Sequence, residues 1–74
     1  MNTIQAKQQG AAAFKAGKGR APALNQAFLV AADAAGNLLE MMKAYTHGWT
    51  VASLANGAAA DMPSVRELAE IEAA

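Results

Sequence analysis

The chain has no cysteine, a single histidine, two prolines and, among its 74 residues, one tryptophan, one tyrosine and two phenylalanines. Without cysteine, neither a disulfide nor a thiolate metal site can staple a domain this short. A lone histidine is poor material for a metal centre, and its neighbours at helical spacing, Lys43 and Val51, are not ligands. Long apolar runs are missing as well. The stretches Ala27 to Ala32 and Leu38 to Leu39 are broken by Asp33, Asn37 and Glu40, far short of the roughly 20 residues of a membrane span. Gln5, Lys7, Gln8 and Gln9 stand where the apolar core of a secretory signal would lie, so a cytoplasmic protein without a membrane segment is expected.

Net charge is absent too, six basic side chains against six acidic ones, but the signs are segregated. Residues 1–20 carry Lys7, Lys15, Lys18 and Arg20 with no acid, whereas residues 61–74 carry Asp61, Glu67, Glu70 and Glu72 against Arg66 alone. Such polarity can hold the two ends of one subunit together, orient neighbouring subunits head to tail, or present two patches to a partner.

What is abundant is alanine, which adds little buried area per residue. Ordering this many residues against so thin an apolar payload leaves a lone core marginal. Residues 1–74 are therefore expected to form a single helical domain. Its fold class is all-α, a small bundle of three to four short helices completed by homodimerisation or by a host protein. No stretch alternates with a period of two for long enough to make a strand.

The first helix is expected over Thr3 to Ala16 with Asn2 or Thr3 as cap, and AGKGRAP (Ala16 to Pro22) ends it. Its apolar stripe is thin, Ile4, Ala11 and Phe14, and beside it run the small residues Ala6, Gly10, Ala13 and Gly17. Pro22 is expected in the first turn of a second helix through Leu24, Phe28, Leu29 and Ala32 to Ala35, closed by Gly36. A third helix follows Asn37. There Leu38, Met42, Tyr45, Trp49 and Ala52 have the spacing of a buried stripe, next to a second small-residue strip of Ala44, Gly48, Ala52, Ala55 and Ala59. The two strips predict close packing of the first helix on the third. That helix yields at Asn56 to Gly57, and the alanines after it are expected to prolong it raggedly at most. Pro63 and Ser64 mark the start of a last helix that Asp61 or Ser64 can cap, Ser64 and Glu67 fitting a capping box, with Val65, Leu68 and Ile71 on its apolar face and a weakly anchored C-terminal end.

No residue set has the spacing of a catalytic, cofactor-binding or metal-ligating site, and no enzyme activity is expected. GKGR (Gly17 to Arg20) lacks the earlier glycine and the following Ser or Thr of a phosphate-binding loop and reads as a solvated basic turn or a contact surface. SVRELAEI (Ser64 to Ile71) has the sound of the opening of a helix-turn-helix, but with three residues after Ile71 no recognition helix is expected. Tyr45 and Trp49, one turn apart, either plug the core or centre an interface, where aromatics often carry much of the energy. The candidate partner-binding residues are Lys15, Lys18, Arg20, Tyr45, His47 and Trp49.

QGAAAFKAGKGRAP and AYTHGWTVA, through Gly10, Gly17, Arg20, Pro22, Gly48 and Trp49, resemble the ribosome modulation factor family of short bacterial helical proteins. The resemblance covers roughly a third of the chain and implies binding to the small ribosomal subunit and promotion of inactive ribosome dimers. The chain departs from that family in its lack of net positive charge, its acidic end and the longer interval from Leu24 through Met42. In size and type it is also similar to small proteins of phages and bacterial accessory DNA that inhibit by occupying a host protein's surface. A protein-binding inhibitor or adaptor is thus the first functional expectation. An RNA- or ribosome-associated factor using the basic first helix and turn is the second.

Overall fold

Three of the four helices begin where a side chain or a ring restrains the backbone, and the caps of two differ from expectation. The computed structural model describes residues 1–22 and 25–74. Among the described residues there are four helices and no strand: α1 (Thr3–Lys15), α2 (Gln26–Ala34), α3 (Leu38–Ala55) and α4 (Pro63–Ala73). The architecture is the small all-α bundle that the periodicity predicts.

Asn2 opens α1 through a reciprocal capping box: its side chain accepts from the Gln5 amide at 2.8 Å, and its own amide donates to the Gln5 side chain at 3.0 Å. At the other end the Lys18 amide reaches the Ala13 carbonyl at 2.9 Å and the Gly17 amide the Phe14 carbonyl at 3.0 Å. That bond pair is a Schellman motif, and it requires the left-handed conformation Gly17 adopts, φ 76°. Pro22 does not open α2. Asn25 holds an extended backbone, φ −113° and ψ 91°, which interrupts any helix from Pro22, and its side chain accepts from the Phe28 amide at 3.1 Å as the true cap. Leu24, expected on this helix, lies outside the described residues. α2 closes at Gly36 as predicted. α3 ends in a turn with type II geometry over Ala55 to Ala58, so Ala58, Ala59 and Ala60 do not prolong it.

The Ser64–Glu67 capping box does not form either. Pro63 takes the first helical position, where its missing N–H costs nothing, so Met62 becomes the cap residue and Ser64 falls inside α4. Glu67 is thereby left for another partner.

α1 and α3 touch backbone to backbone. A β-carbon built on Gly10 would lie 1.9 Å from the Tyr45 carbonyl oxygen, and one on Gly48 would lie 2.0 Å from that of Lys7. Ala6, Ala13, Ala44 and Ala52 are buried around this crossing, which is the pairing the two small-residue strips predict. The buried face of α3 is accordingly rotated from the predicted stripe and keeps only Tyr45 and Ala52 of it. It comprises Met41, Ala44, Tyr45, Gly48, Val51 and Ala52, while Leu38 is exposed and Met42 and Trp49 are half-buried. Helices in such close contact centre their interface on the smallest side chains and push larger ones to the flanks.

On one flank α2 inserts Phe28 against Tyr45, both about fully buried, with ring centroids 4.6 Å apart. Together with Ala6, Ala13, Ala32, Met41 and Ala44 they form the core. On the other flank lies α4, contributing Ile71. No described helix is long and apolar enough to cross a membrane.

Candidate functional site

The basic turn after α1 is built from the inside out. Phe14, on the last turn of α1, meets the edge of Trp49 from α3 at a centroid distance of 5.2 Å and an interplanar angle of 88°. The same indole N–H donates to the Lys18 carbonyl at 2.9 Å. With the Schellman bonds at its start, this fixes the backbone of the turn from both sides. Lys18 and Arg20 stand exposed on it, and among the described residues neither has an acidic partner.

Beside the turn opens a cleft of about 310 Å³ lined by Lys18, Gly19, Ala21, Asn25, Gln26 and Tyr45. Lys18, Tyr45 and Trp49, distant in sequence, thus converge on one corner where the turn, the start of α2 and the middle of α3 meet, with Arg20 on the adjoining turn. Tyr45 is only 1% exposed and packs at a tilt of 51° against Phe28, so of its two readings the burial leaves the core one. Trp49 is half-buried against Phe14 and bonded to the turn.

The other two candidates point elsewhere. Lys15 pairs with Glu72, and His47 with Glu67, so both side chains hold α4. The segregated charge therefore joins the two ends of one subunit, the first of the three uses the sequence allows. Glu67, itself about half exposed, gives His47 from another helix the carboxylate it lacks on its own. Gln8 completes this side by donating to the Ile71 carbonyl at 3.0 Å and the Ala74 carbonyl at 2.9 Å. It satisfies carbonyls that a helix end leaves free, so the C-terminal end of α4 is its best-anchored part rather than its weakest. The sequence signal was available: Gln8 is the polar member of the row Ile4, Gln8, Ala11, and a polar group on an otherwise inward row needs a partner.

Asn25 and Gln26 are the cleft residues that sequence spacing does not single out, because nothing local places them opposite Tyr45. Among the described residues no three metal-binding side chains converge. Comparison with family models, with curated proteins and with solved structures finds no match for the chain.

Proposed function

We propose that the chain is a non-enzymatic helical module that binds a protein surface, as an inhibitor or adaptor. One observation carries this reading. While Phe28 and Tyr45 are spent in the core, Val30, Leu39 and Leu54 remain 69%, 67% and 64% exposed. Leu39 lies two and a half helical turns from Gly48, on the side of α3 opposite α1. Aliphatic side chains this open on adjoining helices suit contact with a partner, and a second copy of the chain belongs to the same proposal.

Capture of a host protein by the purified chain, identified by mass spectrometry, tests the reading when repeated with Leu39→Asp and Leu54→Asp. Loss of capture at unchanged melting temperature supports it. Retention of the same partner by both variants counts against it.

The Trp49-held turn favours a second reading, an RNA- or ribosome-associated factor, which the resemblance to the ribosome modulation factor family also supports. Lys15 is engaged with Glu72, so Lys18 and Arg20 are the cations this reading uses. Binding through phosphate contacts weakens about tenfold or more between about 50 and 200 mM salt, whereas an aliphatic contact changes little. Co-sedimentation with ribosomes at physiological salt, lost in the Lys18→Ala, Arg20→Ala double variant, would reverse the order of the two readings.

A further inference from the structure

α4 is attached differently from the other helices. Ile71 is its one buried side chain, and Ile71 lies outside the cluster that joins α1, α2 and α3 through Phe28, Met41 and Tyr45. Val65 and Leu68 are half-buried. The remaining side-chain ties to α1 and α3 are polar and sit at or near the surface: Lys15 to Glu72, His47 to Glu67, and Gln8 to two carbonyls of the last turn. Exposed ion pairs add little stability, and salt screens them. An open groove lined by Ile4, Lys7, Arg66, Glu70 and Ile71 runs along part of the boundary between α1 and α4.

The rest of the bundle does not depend on α4 in this way. The crossing at Gly10 and Gly48 and the Phe28–Tyr45 contact involve α1, α2 and α3 only. We infer that α4 is a latch: it opens as a unit, hinged on the turn after α3, while α1, α2 and α3 stay folded. Opening uncovers the strip that the latch shields. On α1 this is Ala11, which shares its row with Gln8 and Lys15; on α3 it is Val51, one turn from His47; both are buried in the closed form.

Native-state hydrogen exchange on the full chain tests the latch. In the unmodified protein the amides of Glu67 to Ala73 exchange about tenfold or more faster than those of Tyr45 to Ala52, and with a shallower dependence on denaturant, because less surface opens. Phe28→Leu separates the two openings further. It weakens a contact kept in the latch-open form and lost on global unfolding, so it accelerates the Tyr45 to Ala52 amides about tenfold and leaves those of α4 within about twofold. If both sets share one rate and one denaturant dependence in the unmodified chain, or if Phe28→Leu speeds both equally, α4 unfolds with everything else and the latch does not exist. The comparison in the unmodified protein decides the matter even where the variant does not fold.

Discussion

The two glycines at the helix crossing act through what they lack. A methyl group on Gly48 would sit 2.0 Å from a backbone oxygen of α1, a distance no rotamer change relieves. Alanine gains about 1 kcal/mol of helix propensity over glycine, and overpacking costs about 1 to 3 kcal/mol or more, so the clash wins. Gly48→Ala and Gly10→Ala are expected to lower stability by about 2 kcal/mol or more in urea titrations. Gly57→Ala meets no neighbouring atom within 4 Å but keeps φ at 77°, and should lose only about 1 kcal/mol. Equal losses at Gly48 and Gly57 would mean that the helices do not touch. Trp49 offers a second contrast. Its replacement by Phe keeps most of the edge contact with Phe14 and removes the bond to Lys18, for about 1 kcal/mol; replacement by Ala removes both, for about 3 kcal/mol.

For the helices, the ends distinguish caps that work from caps that only read as caps. Asn2→Ala removes the side-chain acceptor for the Gln5 amide while leaving the residue-2 amide to donate to Gln5, and should cost about 1 kcal/mol, measurable as a fall in the urea midpoint. Ser64→Ala should change stability by less than about 0.5 kcal/mol, since Pro63 and not Ser64 opens α4. A loss at Ser64 as large as at Asn2 would restore the capping box. The tie between α3 and α4 is weak on its own terms: with His47 and Glu67 both about half exposed, a double-mutant cycle should return a coupling under about 1 kcal/mol. What orients α4 is the set of three polar ties around Ile71, not any one of them.

Across the whole molecule, 74 residues bury a core whose largest fully buried side chains are Tyr45 and Phe28, with alanine supplying much of the rest. A core that small is expected to gain from association, and the exposed aliphatic side chains of α2 and α3 supply the surface for it. If the chain pairs with itself, light scattering will report a dimer mass that falls on dilution, and the melting temperature will rise with protein concentration. A constant monomer mass with a concentration-independent melting temperature would remove the homodimer from the proposal.

The sequence by itself determined the helical class, three of the chain breaks and the close pairing of α1 with α3. These follow from local chemistry: glycine ends helices at residues 17, 36 and 57, and small residues four apart have one use on a helix that must meet another. The tertiary structure decided which side chains flank that contact, because the rotation of α3 depends on its backbone distance from α1. It also decided where the polar groups went. Glu67 reads as a cap partner from its neighbours three residues away and becomes the partner of His47 only once α4 is laid beside α3. The cleft joining Lys18, Asn25 and Tyr45 was illegible for the same reason: local spacing specifies a helix face, and the identity of what that face meets is a non-local fact.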